Sequence, residues 1–579
     1  MPAHRQPRHR AVRAQVIPAI AVLLSVGYLL WPTLRGGDLL GRDMVFVPDQ
    51  PLDLQALGLG GAAARAVPLD AVVSLVQAVL GSWLTARLAL VVPLVAVAYG
   101  VRRLLPRATL PATVAMMALS IVNPFVIERL AIGQWALLWA YAALPWLVHF
   151  IVRARPSLPA ALLVVAAASI TPTGGLIAFA CGLLCALLVS LSARARIGFA
   201  VGAAVVQLPW VLAGFVGGAA LASDPAGVEV FAAHADAPGG VAISLLGLGG
   251  IWNAEVVPPS RSGVLGVLAA LLVAGCVVGG ATWLRRRLGG PGAASERSYL
   301  ALAWCSGIGV LLALLPATAP GAALTGWLVE SVPGAGLLRD SQKWLLPFVV
   351  LAVLSVGAVV SRVTTVPAPT WQRAATVLGA LALPMALVPD AHAVLRPTLT
   401  PVQYADEWAT VAREVGPGDT TVVVPWSAYR GYEWADGRSA LDPAPRILSG
   451  LVVTNDELVV GEVTVRGESQ LSAEVGEALA ADDPVRALSA LGVDHVLIEK
   501  QTPGQAPAEV AGLPVLYDGS QLTLVAVPDP AQREIATTGQ IAAVIASHVL
   551  VLLMVVLFTI SQVIAGISGR RHEICERSR

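Results

Sequence analysis

The sequence predicts a mainly α, polytopic membrane protein of about twelve spans, with an α/β domain outside the membrane at 391–535, inserted before the last helix. Three observations carry this reading. First, of 579 residues 56% are hydrophobic and only 13% charged, and the mean hydropathy is +0.73; soluble domains carry roughly 25% charge. A water-soluble globule cannot bury that much apolar surface. Second, the arginines recur in clusters at alternate ends of apolar runs, as the positive-inside rule requires of a multi-pass protein. Third, the composition turns rich in charge, Gly and Pro after Pro389 and apolar again from 536. The chain thus divides into 1–390 (multi-span), 391–535 (α/β domain) and 536–579 (last helix and basic tail).

The elements follow in order. Arg5, Arg8, Arg10 and Arg13 precede an apolar run, Val16 to Leu34, that lacks a small-residue cleavage site and reads as an uncleaved helix running outward. The loop RGGDLLGRDMVFVPDQPLD (35–53) follows, with an interfacial helix at 69–81. Spans are expected near 86–101, 109–122, 136–152, 158–171, 176–191, 197–219, 262–282, 298–316, 343–361, 371–388 and 538–566. The run 158–171 is short of the roughly 20 residues a bilayer needs, and Thr171-Pro-Thr-Gly-Gly175 interrupts it. This parity puts both termini in the cytoplasm of a plasma-membrane protein and 391–535 outside.

In the α/β domain, 420–426, 458–465, 494–500 and 522–528 are β-branched runs bounded by turn residues, and 403–415 and 473–491 have helical spacing. No nucleotide loop, catalytic triad or metal-ligand spacing stands out there, and His495 reads as a structural strand residue. The cysteines Cys181, Cys185, Cys276 and Cys305 sit in apolar runs as small buried residues, with Cys575 in the tail. No metal centre and no nucleic-acid partner is expected; the partner implied by composition is the lipid bilayer.

On this topology four charged loops open on one side. They carry Arg42-Asp43 with Asp38, Glu128-Arg129, His234 among Asp224 and Asp236, and Arg339-Asp340 with Lys343, one of only two lysines in the chain. Each is an interfacial ion pair or part of a shared polar cavity. Four at one face favour the cavity, because charge beside hydrocarbon is costly unless paired or used. Arginine and lysine suit a phosphate, and a carboxylate suits a general base. Trp426, Tyr429, Tyr432 and Trp434, around Arg430, form an aromatic and polar group suited to a sugar face or to packing.

NPFVIERLAIGQWALL (123–138), GLLRDSQKWLL (336–346) and GVDHVLIEK (492–500) resemble recurring segments of large bacterial GT-C-like membrane proteins. With a carboxylate in the first outer loop, the chain resembles GT-C glycosyltransferases that use polyprenyl-phosphate sugars, closest to actinobacterial arabinofuranosyl- and mannosyltransferases. The resemblance implies a polyprenyl-phosphate-linked sugar donor and an envelope glycan or lipid acceptor. It implies Asp43 as base, and Arg129, Arg339 and Lys343 on the donor phosphate. Arg42, Asp38, Glu128, His234 and Asp340 would support them, and Trp426, Tyr429, Tyr432 and Trp434 would bind the acceptor. Some members use a divalent cation, for which Mg²⁺, Mn²⁺ or Ca²⁺ would suit oxygen ligands. The family often shows two adjacent acids in the first loop; here Arg42 precedes Asp43. Two other readings therefore stand beside the transferase: a transporter of a lipid-linked precursor, and a non-catalytic envelope-assembly protein.

Overall fold

The computed structural model describes residues 6–60, 66–153, 155–189, 191–216, 223–288, 293–367, 369–534 and 536–577. The side chains of the basic leader and of the tail from Arg570, Cys575 included, lie outside the described residues.

Seven helices are long and apolar enough to cross a membrane: Ala14–Leu34, Ser82–Leu104, Leu110–Ala131, Val264–Arg287, Ser295–Ala317, Ser341–Thr365 and Thr538–Ala565. Two pairs bent at a short break, Ala193–Val205 with Leu208–Val216 (45°) and Thr370–Leu387 with Ala391–Leu399 (52°), bring the total among the described residues to nine if each is one span. The chain is a multi-pass membrane protein. The difference from the twelve expected spans lies in three helices, Leu137–Val152, Leu158–Ala168 and Pro172–Leu188, of 16, 11 and 17 residues. At 1.5 Å per residue none reaches across ~30 Å of hydrocarbon. They pack instead on one another and on Ser82–Leu104, with Tyr141, Leu147, Val165 and Cys185 buried. The interruption after Ala168 is a packed corner. Thr171 Oγ1 accepts from the Gly174 amide at 3.2 Å, and Gln207 donates to Ser169 Oγ at 3.0 Å.

The amphipathic helix Leu69–Leu80 lies where the sequence placed an interfacial helix. Val72, Leu75, Val76 and Val79 face outward, while Gln77 is buried and donates to the Val47 and Pro48 carbonyls at 2.9 and 2.8 Å. It therefore braces the first loop from below.

The α/β domain is built on a five-stranded mixed sheet in the order Val515–Asp518, Leu522–Ala526, His495–Glu499, Thr420–Val424, Leu451–Val453. The last three strands run parallel and the first two join antiparallel. Along Thr420–Val424 the side chains alternate: Val423 packs with Trp408, Val411, Leu497 and Leu524, whereas Val422 and Val424 pack with Leu471, Val475, Leu488 and Val496. The sheet is thus covered on both faces, which is why its strands read as unbroken apolar runs. His495 sits in its strand with Nε2 3.1 Å from Asp419.

Two expectations are corrected here. The run 458–465 is not one strand but a hairpin, Leu458–Val460 and Val463–Val465, turned by Gly461 at φ +60°. The helical run 473–491 is two helices, Gln470–Leu479 and Pro484–Ala490, because Pro484 has no amide to continue the first and Asp483 caps the second. Residues 391–399 form a helix packed on Pro124–Ala131, with Leu395 and Leu399 in the membrane-side core, so the sheet domain proper begins after them.

Candidate functional site

Asp43 sits at the tip of a minimal hairpin. Leu40 pairs with Val45 and Gly41 with Met44, leaving Arg42 and Asp43 as the turn. Arg42 adopts φ 52°, a conformation that L-residues with a long side chain rarely take. Its backbone is held there from above: its amide donates to the Ser439 carbonyl at 2.7 Å, and its carbonyl accepts from Leu441 at 2.9 Å. From below, the Asp43 amide donates to the Ile132 carbonyl at 3.1 Å. Gly133, at φ +90°, lies so close to the Met44 and Asp43 backbone that a Cβ there would clash. The turn is therefore gripped between the membrane helices and the α/β domain.

Both domains also reach the carboxylate. Tyr429 Oη donates to Asp43 Oδ1 at 2.5 Å, and Gln134 Nε2 donates to Oδ2 at 3.0 Å. A carboxylate offers about four lone-pair sites, so two bonds orient it and leave capacity for an incoming hydroxyl. Gln134 in turn accepts from Arg129 at 2.5 Å. Arg129 binds Asp340 in a two-pronged pair at 2.7 and 2.8 Å and donates to Gln342 at 2.6 Å. Lys343 stands 3.3 Å from Asp340. Burial alone would raise the Asp340 carboxyl, but Arg129 and Lys343 hold it down to about 2. From Gln342 the chain runs on to Glu128 at 2.6 Å, then Arg261 at 3.5 Å, which grips Asp236 at 2.7 and 3.0 Å. Four of the sequence-predicted residues, Asp43, Arg129, Asp340 and Lys343, thus share one hydrogen-bonded chain, and Glu128 joins it through Gln342.

Asp43 lines a small cavity of about 20 Å³ with Phe46, Gln50, Asp70, Trp135 and Arg446, with Phe46 and Trp135 stacked at 5.1 Å. Asp70 is the other acid lining this cavity; it is paired with Arg446 at 3.0 Å. Gln50, Asp70 and Arg446 also line a larger cleft of about 230 Å³ between the first loop and the α/β domain.

The other predicted residues lie as follows. Arg129 has no exposed side-chain surface; its two terminal nitrogens bind Asp340, Gln134 and Gln342, and its Nε has no partner among the described residues. Arg339 is bound to Glu468 of the α/β domain and lies over the Phe231 ring at 5.9 Å. Arg42 turns its side chain to Glu255 at 2.8 Å. Asp38 bridges Val402 through its backbone and accepts from Ser82; burial pushes its carboxyl up, against the pull of Ser82 and Arg87. His234 is exposed and bonded to the Ala232 carbonyl at 2.9 Å.

The four aromatic residues do not form one platform. Tyr429 alone reaches Asp43. Tyr432 is buried and donates to Glu499 at 3.1 Å, beside Arg430, which pairs with Asp442 and Glu499 at 2.9 Å each. Trp434 packs on Tyr432 and Tyr404 on one face of the sheet, and Trp426 belongs to the core of the other face.

Gln134, Gln342, Asp70, Arg261 and Arg446 complete the arrangement, and sequence reasoning passed over their roles. Gln134 and Gln342 lie within the segments quoted above, but a neutral amide carries no charge signal. Among the described residues no three His, Cys, Asp or Glu side chains gather as a cation site. The donor set at Asp43, an amide and a phenol with Asp70 already paired, does not fit a divalent cation.

No family model and no curated protein matches the chain. Among solved structures, the arabinofuranosyltransferase AftD from Mycobacteria matches with a TM-score of 0.53 at 15% identity, over 89% of this chain and 40% of that one. The chain therefore spans less than half the length of that protein. An oligosaccharyltransferase from Archaeoglobus fulgidus, tethered to an acceptor peptide, matches with a TM-score of 0.40 at 11% identity, over 84% of this chain and 69% of that one. The first likeness shows a shared fold.

Proposed function

We propose that this chain is an integral-membrane glycosyltransferase that moves a sugar from a polyprenyl-phosphate donor to an envelope glycan or lipid acceptor on the extracytoplasmic face. The observation that carries the reading is the setting of Asp43. Its carboxylate stands in a cavity at the seam of the membrane helices and the α/β domain, oriented from both sides by Gln134 and Tyr429. The fold shared with an arabinofuranosyltransferase supports it.

In the proposed reaction Asp43 takes the proton of an acceptor hydroxyl as that oxygen bonds to the anomeric carbon. The bond from that carbon to the phosphate oxygen breaks, and polyprenyl phosphate leaves with the electron pair. A single displacement inverts the anomeric centre. Lys343, 22% exposed, is the accessible cation of the Asp340 pair and is suited to the charge that grows on the leaving phosphate. Arg129 and Gln134 position Asp43. No step is routed through a metal.

The test is Asp43→Asn in purified, folded protein. Loss of a general base costs about 10²–10⁴ in rate, so transfer from a radiolabelled polyprenyl-phosphate sugar should fall by that factor. Wild-type turnover by the variant would remove Asp43 as base. Deletion of 391–535 that reproduced a null phenotype while Asp43→Asn stayed silent would instead favour the assembly reading.

A further inference from the structure

The part of the α/β domain that grips the Asp43 turn is one hairpin, Tyr429–Tyr432 paired with Arg438–Leu441. It supplies the Tyr429 phenol to Asp43, the Ser439 carbonyl to the Arg42 amide and the Leu441 amide to the Arg42 carbonyl. Along Tyr429–Tyr432 burial alternates, as it must where successive side chains take opposite faces. Tyr429 turns to Asp43, whereas Arg430 and Tyr432 turn into the domain. What holds Arg430 therefore sets where Tyr429 stands.

Arg430 is held by two carboxyl groups. Its Nε lies 2.9 Å from both Asp442 and Glu499, and its Nη1 donates to the Pro425 carbonyl at 2.6 Å. Glu499 ends the central strand of the sheet and also accepts from Tyr432 at 3.1 Å. The three side chains are 0%, 3% and 2% exposed, so water does not screen them. Asp442 and Glu499 lie within hydrogen-bond reach of each other. Two ionised carboxylates are acceptors only, and one guanidinium cannot neutralise both. Asp442 also accepts from the Ala444 amide at 2.8 Å, which favours its ionised form. The proton therefore belongs on Glu499, as a donor to Asp442.

The other groups turned toward Glu499 agree. Besides Asp442, Arg430 and Tyr432 they include Tyr404, ahead of the helix Asp406–Glu414; the neighbouring Lys500 is bound to Asp518 instead. Burial pushes the Glu499 carboxyl well above the usual range, and Asp442 adds to this against the pull of Arg430. A carboxyl raised by folding stabilises the fold below its ordinary value of about 4.3, and that contribution is lost as pH rises through the folded value.

We propose that Arg430, Asp442 and Glu499 form a clasp that positions Tyr429 and the Arg42 turn at Asp43, and that the clasp opens when the two carboxyls lose their shared proton. Its meaning for catalysis rests on the transferase reading, but the clasp itself is tested without turnover.

Hydrogen exchange would be followed on full-length protein in nanodiscs from pH 6 to 9, corrected for the intrinsic rate, in peptides covering 38–46 and 429–441. Wild-type protection there should fall about tenfold or more toward the alkaline end. Glu499→Gln, a neutral side chain that can still donate to Asp442, should hold its protection throughout. Asp442→Asn should do the same, since one carboxylate then matches one guanidinium. The double variant strands Arg430 without a counter-charge and should lose protection at every pH. Infrared spectra of wild type should show a carboxylic-acid C=O band that Glu499→Gln removes. In the transfer assay Glu499→Gln should lose the alkaline fall in kcat while its acidic limb and donor KM stay as in wild type. Absence of transfer in every form, with the exchange and infrared results intact, would support the clasp and remove the transferase reading. Wild-type protection that stays flat with pH, absence of that band in wild type, or an alkaline fall that persists in Glu499→Gln would overturn the proposal. The wild-type measurements decide even where a variant does not fold.

Discussion

Gln134→Glu is the sharpest perturbation of the proposed base. It keeps the size of the side chain and exchanges the amide nitrogen, 3.0 Å from Asp43 Oδ2, for a carboxylate oxygen. At that distance and an effective dielectric near 20, two bare carboxylates repel by about 5 kcal/mol. Arg129, 2.5 Å from the same side chain, offsets part of this. The sign is fixed: a neighbouring negative charge favours the protonated form of Asp43, and a base must be unprotonated. The acidic limb of the pH–rate profile should therefore lie at higher pH than in wild type. Loss of the charge-assisted hydrogen bond, about 1.5–3 kcal/mol, should lower kcat roughly tenfold to a hundredfold even on the plateau. The assay is transfer from a radiolabelled polyprenyl-phosphate sugar to a neutral acceptor across pH 5–9, in protein whose thermal midpoint is measured alongside. An unchanged profile with an unchanged plateau would refute both Asp43 as base and Gln134 as its orienting partner.

Four further outcomes follow from the same geometry. Arg129→Leu should destabilise the fold by about 3–5 kcal/mol, because it strands Asp340 without its main partner; a stable variant with only a raised donor KM would restore Arg129 as a phosphate ligand. The Asp340 carboxyl, held at about 2, lends stability that is complete above the unfolded value near 4 and is lost only as pH falls toward 2; acid unfolding of Asp340→Asn should therefore differ from wild type less and less as pH drops through that window. Lys343→Ala should raise KM for the donor with little change in thermal midpoint, since the side chain is partly exposed and Arg129 still holds Asp340; an unchanged donor KM would count against it. EDTA should leave transfer intact, and a loss restored by Mg²⁺, Mn²⁺ or Ca²⁺ would show that the donor set at Asp43 was misjudged.

The sequence alone determined the class of molecule. An apolar composition and alternating arginine clusters suffice for a multi-pass membrane protein, because hydrocarbon burial and charge sidedness are additive properties of local segments. Asp43, Arg129, Asp340 and Lys343, which share one hydrogen-bonded chain, stood out for the same reason: charge is scarce in this chain, so each exception is conspicuous. Only the tertiary structure decided what each charge does. Arg129 and Arg339 look alike in sequence, yet one is sealed inside a bidentate pair and the other is tied to Glu468, a partner 129 positions away. Tyr432 and Tyr429 are three residues apart, yet one closes a buried ion cluster and the other touches Asp43. The count of twelve spans against seven to nine turns on three short helices that pack on one another and on Ser82–Leu104, which no window of hydropathy can register. The neutral links, Gln134 and Gln342, stayed hidden because an amide has no field at long range; its role exists only once folding brings a donor and an acceptor within three ångströms.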